Sequence, residues 1–196
     1  MHPIQHFNTI TRHRNLVFHY CMKLGLVYQG LTHDLSKYSP TEFIPGAKYY
    51  QGYRSPNDAE RQATGISLAW LHHKGRNRHH FEYWIDYPRR DDPTQTTDEK
   101  RRFQAVEMPL KYVAEMFCDR VAACKIYRGK DYTPADPLAY LEKGRGYVFI
   151  HPKTQELITQ MLTVLRDEGE DAACAYVKKL LQDEKSNISV EERSSL

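Results

Sequence analysis

Residues 32–37 read Thr-His-Asp-Leu-Ser-Lys. This stretch is a candidate metal-binding segment, and other histidines and acidic residues of the chain could complete its site. If the backbone turns at this point, His33 and Asp34 can offer an imidazole and a carboxylate to the same divalent cation. Lys37 follows three residues later, where its ammonium group can reach an anion that the metal holds. A His-Asp pair alone is common, so its significance depends on residues elsewhere that could complete a metal site.

A second dense segment, residues 69–84, contains four histidines within nine positions: His72, His73, His79 and His80. Each neutral imidazole carries a donor and an acceptor that need partners when buried, so such a cluster indicates a function, with a solvated surface turn as the alternative. A continuous helix would place His73, Asn77 and His80 on one face. A break at Gly75 would instead let both histidine pairs converge, and the sequence leaves both arrangements open.

Two further candidate ligands lie on predicted helices. Apolar residues recur with helical spacing from about residue 4 to residue 27, and His13 shares the face of Val17 and Tyr20, whereas His19 lies roughly 120° around the helix. Asp119 is the only charge on an apolar stripe of a helix predicted from Pro109 to about residue 128. A carboxylate in that position normally pairs with a metal or a buried cation, and a salt bridge to Arg120 is the alternative.

A third helix is predicted to start at Ser39 and Pro40 and to continue to about residue 50. Ser39 suits the N-cap and Pro40 the first helical position. Glu42 stands three residues after Ser39, as in a capping box. The same carboxylate could instead support the site or take part in catalysis, and both interpretations stay open.

The remaining chain also favours helices. A short helix is predicted to begin at 133–137, and two amphipathic helices are predicted in the tail, one with its apolar residues at 157–165 and the other at 172–180. The longest segment with strand-like alternation is 146–150. We therefore expect an all-α fold with a single globular domain, residues 1–185, interrupted by a loop or lid at 86–102 and followed by a frayed tail at 186–196.

Composition restricts the classes of partner. With 28 Lys+Arg against 25 Asp+Glu, the formal charge of the 196 residues is +3, which is too small to indicate nucleic acid. No apolar run of about 18 residues and no secretion signal are visible, so we expect no membrane partner and a cytoplasmic location. Cys21, Cys118, Cys124 and Cys174 form no CxxC pair and are expected to be reduced core residues.

The order of these residues resembles the HD-domain superfamily of metal-dependent phosphohydrolases. In that superfamily a first histidine, a His-Asp pair and a later aspartate bind one metal, and extra histidines between them mark members with more metals. The segments GLTHDLSKYSPTEF (30–43) and 69–84 are also similar to an uncharacterised bacterial and phage family of unknown function. The resemblance implies a domain of HD type whose metal ligands are His13, His33, Asp34, His73, His79, His80 and Asp119. Because only twenty residues separate His13 from His33, a short spacing for the superfamily, His19 and His6 are alternative first ligands.

The resemblance implies hydrolysis of a nucleotide or another small phosphoester at a mono- or dinuclear centre. Mixed imidazole and carboxylate ligands suit one or two ions of Mn, Fe, Co, Ni or Zn. Asp34 would bridge metals or orient water, and Lys37, Arg76 and Arg78 would neutralise phosphate oxygens. Two alternatives remain: an HD-fold di-iron oxygenase, and a non-enzymatic helical binding module with a structural metal.

Overall fold

The computed structural model describes residues 1–91, 93, 96–97 and 102–194, with side chains described up to residue 187. Within these residues the chain is mostly helical and forms one domain, as predicted. The α-helices are α1 (Pro3–Leu24), α2 (Val27–Thr32), α3 (Pro40–Lys48), α4 (Pro56–Thr64), α5 (Leu68–Lys74), α6 (Leu110–Arg128), α7 (Asp136–Lys143), α8 (Pro152–Glu168) and α9 (Glu170–Ser194).

One small sheet accompanies the helices. Strands β1 (Ile85–Asp86) and β2 (Gln104–Ala105) pair antiparallel, with Ile85 opposite Ala105. The alternating segment 146–150 forms a turn and irregular chain instead of a strand. Alternation over so few residues does not make a strand without a neighbouring strand to pair with.

Helix α6 lies at the centre of the domain and packs against α1, α7, α8 and α9. Its side chains Val113, Phe117 and Val121 join Ile158 and Leu162 of α8 in the main core, where each is at most 1% exposed. Because α6 is covered along most of its length, any carboxylate on it needs a partner inside the protein.

The His-Asp pair lies at a sharp break between elements. Helix α1 ends at Gly25, which adopts the left-handed conformation (φ 76°), and α2 then stops at Thr32. A 3₁₀ helix, Leu35–Tyr38, follows the pair. The chain therefore leaves the helical conformation at His33, and this turn is what the pair needs in order to aim both side chains at one point.

A second break separates the two histidine pairs. Helix α5 ends at Lys74 with Gly75 as its C-cap, and His79 and His80 precede the 3₁₀ helix Phe81–Tyr83. The Asn77 amide donates to the carbonyl oxygen of His73 (2.8 Å), which holds this turn in place. The broken arrangement is thus the one that forms.

Seven of the 17 residues of the loop or lid predicted at 86–102 lie outside the described ranges, namely 92, 94–95 and 98–101, and the lid stays a prediction. The polar segment at the C-terminus continues α9 as far as Ser194, and its fraying stays a prediction, with residues 195–196 outside the described part. None of the described helices combines the length and apolarity needed to span a membrane.

Candidate metal centre

The structure brings all seven predicted ligands together in two groups that share Asp34. The first group is His13, His33, Asp34 and Asp119; the second is Asp34, His73, His79 and His80. In each group one ligand atom per residue lies within 4.8 Å of all the others. Helices α1, α5 and α6 and the two turns described above supply these side chains.

The spacing in the first group fits a single cation. His13 Nε2 lies 3.0 Å from Asp119 Oδ1 and 3.6 Å from Asp34 Oδ2. His33 Nε2 lies 3.5 Å from His13 Nε2, 3.4 Å from Asp34 Oδ2 and 3.7 Å from Asp119 Oδ1. Four tetrahedral ligands about 2.1 Å from one ion are about 3.4 Å from each other, so these atoms already stand at metal-binding distances.

The first histidine of the group is His13, and neither alternative takes its place. His19 on the same helix is exposed. His6 is buried, but its ring packs between Phe43 and Tyr50, outside both groups. The helical period of α1 therefore predicted which histidine of that helix joins the group, and its role as a metal ligand stays a prediction.

The second group uses the other oxygen of Asp34. His73 Nε2 and His79 Nε2 lie 3.3 Å and 3.5 Å from Asp34 Oδ1, and His80 Nε2 lies 2.9 Å from His73 Nε2. The two carboxylate oxygens of Asp34 thus face different sets of histidines. A carboxylate placed in this way can bridge two cations.

The backbone of Asp34 supports this position at a cost in conformational energy. Its φ of 54° makes it the one non-glycine residue with a positive φ among the described residues. Residues other than glycine avoid this region, although Asp and Asn tolerate it best. Such strain persists where the surrounding structure imposes it, and it is frequent at functional sites.

Two buried polar atoms of the cluster lack hydrogen bonds. They are Oδ1 of Asp34 and Nε2 of His79, which find no hydrogen-bond partner among the described residues. Lys37 Nζ lies 2.5 Å from Asp34 Oδ2 and gives that carboxylate one countercharge. Buried polar atoms without partners cost about 1–3 kcal/mol each, so their convergence on one point fits a cation that would satisfy them together.

A buried glutamate that the sequence analysis missed connects the two groups. Glu115 Oε1 accepts from Nδ1 of His33 (2.9 Å) and from Nδ1 of His79 (3.1 Å). These three residues also have the spacing of a metal site, but the hydrogen bonds fix both Nδ1 atoms on the glutamate and turn both Nε2 atoms towards Asp34. Glu115 therefore acts as the supporting carboxylate that metal-binding histidines commonly have. Its position four residues before Asp119 on one helix was the available signal.

Glu42 supports the two histidines at the end of α5 in the same way. Its Oε2 accepts from His73 Nδ1 (2.7 Å) and its Oε1 from His72 Nδ1 (2.6 Å). Ser39 is the N-cap of α3 but its side chain makes no capping hydrogen bond, so the capping box does not form. Of the two interpretations of Glu42, the structure favours support of the site.

Electrostatics keep the acidic ligands charged. Burial alone would raise the pKa of Asp34, but the charges of His33 and Lys37 outweigh burial and hold it well below its usual range. Burial likewise opposes ionisation of Asp119, and hydrogen bonds from His13 and His33 lower its pKa well below the ordinary value. Metals bind deprotonated carboxylates, so both aspartates are in the competent form.

The histidines divide into two electrostatic classes. Burial and the neighbouring His79 and His73 lower the pKa of His80 well below 6.5, and burial also lowers that of His73. Burial would lower the pKa of His33 too, but the charge of Asp34 and its hydrogen-bonded carboxylates raise it well above 6.5. His73 and His80 are thus neutral, the form that a metal would bind, whereas a metal at His33 would have to displace a proton.

Of the three basic side chains predicted to bind phosphate, Lys37 alone contacts the cluster. The exposed side chain of Arg76 makes no hydrogen bond or ion pair with any described residue. Arg78 donates to the Tyr112 hydroxyl (3.1 Å) and packs over the rings of Tyr83 and Tyr112. The structure does not bring either arginine to the site.

Comparison with known proteins gives a family but no activity. The family described as "Family of unknown function (DUF5662)" matches residues 2–164 of the chain. No curated protein and no solved structure matches the chain. The resemblance to the HD-domain superfamily stays a prediction.

Proposed function

We propose that this chain, which belongs to the DUF5662 family of unknown function, is a metal-dependent hydrolase of small phosphomonoesters with a dinuclear His/Asp centre. The observation that carries the proposal is the placement of Asp34, whose Oδ2 faces His13 and His33 while its Oδ1 faces His73 and His79. A paired centre of this kind can hold both the attacking and the leaving oxygen of a phosphoester.

The reaction is the addition of water to a phosphomonoester. The water oxygen forms a new bond to phosphorus, the ester P–O bond breaks, and the departing alcohol oxygen gains a proton, which leaves inorganic phosphate and the alcohol. A bound metal supplies hydroxide at neutral pH and polarises the phosphoryl group. Lys37 lies beside Asp34 with 26% of its side chain exposed, so it can turn towards a phosphate oxygen and offset negative charge there.

Access to the centre favours catalysis over a purely structural metal. Asp34 and His33 are almost fully buried, but the side chain of Asp119 is 16% exposed and that of Lys37 is 26% exposed. Solvent therefore reaches one edge of the cluster. Structural metal sites are usually closed by protein ligands, whereas catalytic sites keep a position open.

A second candidate is a di-iron oxygenase that uses the same residues. The five histidine nitrogens of the two groups favour it, because imidazole-rich sites bind iron well. Iron content and consumption of dioxygen with candidate alcohols would identify this chemistry, whereas the hydrolase releases inorganic phosphate without consuming oxygen.

The test combines metal analysis with a hydrolysis assay. Protein purified without added metal should contain about two transition-metal ions per chain and should hydrolyse p-nitrophenyl phosphate. Asp34→Asn keeps the side-chain volume and tolerates the positive φ, but loses the bridging charge. We expect it to lose at least one metal and roughly a hundredfold or more in activity.

The matched control is Asp183→Asn, which removes an exposed carboxylate on α9 and should change neither property. A wild-type protein without metal, or an Asp34→Asn variant with full metal content, would contradict the proposal.

A further inference from the structure

A cleft adjoins the metal centre between α1, α3 and the start of α4. Among the residues that line it are His6, Thr9, Lys37, Glu42, Asn57 and Tyr127. Two of them also belong to the metal centre, because Lys37 pairs with Asp34 and Glu42 accepts from His73. A phosphoryl group beside Asp34 would therefore place the adjoining part of its molecule at this cleft.

His6 is a buried side chain of the cleft that lacks hydrogen-bond partners. It is 5% exposed, and neither of its ring nitrogens makes a hydrogen bond with a described residue. Buried polar groups without a partner are rare in folded proteins and call for a ligand, a water or a functional role. Such a ring in the wall of a cleft is a recognition group that awaits a hydrogen-bonding partner.

The protonation state of His6 indicates what that partner is. Burial and the charge of Lys37 lower its pKa to about 4, so the ring is neutral near pH 7. A neutral imidazole offers one donor and one acceptor. A hydroxyl group matches this pair, since it can accept from one nitrogen or donate to the other.

The ring of His6 is also held in one place. The Phe43 and Tyr50 rings flank it at centroid distances of 5.2 Å and 6.1 Å. Position 46 must be glycine for this packing, because a Cβ there would lie 2.2 Å from His6 Nε2. A fixed recognition group binds with a smaller loss of conformational entropy than a mobile one.

We propose that this cleft, whose volume of about 60 Å³ has room for about two hydroxyl-sized groups, binds the hydroxyl groups nearest the phosphate, with His6 as a principal contact, and that the substrate class is a phosphorylated sugar or polyol. The inference rests on the proposed phosphohydrolase function. The other polar lining residues, Thr9, Ser55 and Asn57, extend the same hydroxyl-binding character. Tyr127 is the one tyrosine, phenylalanine or tryptophan in the lining, whereas a nucleotide base favours a stack of flat apolar faces.

The experiment measures binding separately from turnover. Metal-loaded protein is titrated by calorimetry with three non-hydrolysable phosphonates, which carry a sugar, an unsubstituted hexyl chain or adenosine. Wild type should bind the sugar phosphonate most tightly. His6→Phe removes both nitrogens and keeps a ring, and it should weaken sugar phosphonate binding about tenfold while hexylphosphonate binding changes less than about twofold.

His19→Phe is the matched control, because His19 lies exposed on the same helix, and it should leave all three affinities unchanged. Asn57→Ala provides a second variant of the cleft that removes no core side chain, and it should weaken the same ligand selectively. Equal losses for the sugar and hexyl phosphonates, or tightest binding of the adenosine compound, would overturn the inference. Failure of wild type to hydrolyse p-nitrophenyl phosphate would instead count against the proposed function.

Discussion

At the scale of single residues, Glu115 has the most consequential contacts outside the ligand set. One oxygen of this carboxylate accepts from a histidine of each metal group, His33 and His79. Burial would raise its pKa, but hydrogen bonds from these two histidines lower it, so it is charged and strengthens both rings as ligands. Its loss should therefore affect both metal positions at once.

Glu115→Gln tests this coupling. The amide keeps an acceptor oxygen and the side-chain volume but loses the charge, so we expect metal affinity to fall about 10–100-fold at both positions. Competition with a fluorescent chelator measures this. Glu168→Gln, at the exposed end of α8, is the control and should bind as wild type does. A loss confined to one position would show that Glu115 does not connect the two groups.

His6 leads to a prediction about stability and pH. Its pKa is about 4 in the folded protein against an ordinary value of 6.5, so between these values the unfolded chain binds more protons. Stability then falls as pH decreases through 6.5, and the loss is complete below about pH 4. The linkage relation gives a loss of about 2 kcal/mol at pH 5 relative to pH 8 from this residue.

Urea unfolding at pH 5 and pH 8 measures this difference, and His6→Phe should reduce the difference by about that amount whatever its effect on absolute stability. His19→Phe should leave the difference unchanged. An equal pH dependence in wild type and His6→Phe would show that the His6 ring takes up its proton in the folded state.

At the scale of elements, helix α5 orients two adjacent histidines differently. His72 and His73 both donate through Nδ1 to Glu42, but only His73 turns Nε2 towards Asp34. Neighbours on a helix differ by about 100°, which explains why one side chain is 2% exposed and the other 19%. The pair therefore provides its own control.

His73→Ala should lower metal stoichiometry by about one ion per chain, since it removes a ligand of the second group. His72→Ala should leave stoichiometry unchanged, although it removes a hydrogen bond to the same glutamate. Atomic emission analysis after gel filtration measures both. A loss at His72 with none at His73 would reverse this assignment.

The elements also show what periodicity can and cannot predict. The 3.6-residue repeat singled out His13 and Asp119, which the structure brings within 3.0 Å of each other, because both lie on long helices whose apolar stripes are well marked. It could not choose between a continuous and a broken helix at Gly75, since glycine is tolerated in either, and the choice was made by the Asn77 hydrogen bond to His73. The sequence analysis missed Glu115 because α6 is covered on most of its faces, so no single apolar stripe marks the inward side of this helix.

At the scale of the whole molecule, the main core and the candidate site occupy different parts of the domain. The core is built by α6 with α8 and α9, where Ile158, Leu162 and Val177 are fully buried. The candidate ligands lie on α1, α5, α6 and the turns. Long apolar repeats predicted the core helices well, but the convergence of ligands 106 positions apart, His13 and Asp119, depends on packing that no local pattern records.

This separation predicts how metal affects stability. The ligands meet only in the folded chain, so a metal that binds the native state stabilises it, by about 2.7 kcal/mol at a free concentration of 100 times Kd. For a chain of this size, each kcal/mol raises Tm by about 2–4 °C, so Mn²⁺ or Zn²⁺ added to chelator-treated protein should raise Tm by about 5–10 °C. Asp34→Asn should remain folded through its intact core and show a much smaller rise, whereas Asp183→Asn should respond as wild type does. Differential scanning calorimetry of the three proteins with and without metal measures this, and equal shifts in all three would mean that the metal binds somewhere other than around Asp34.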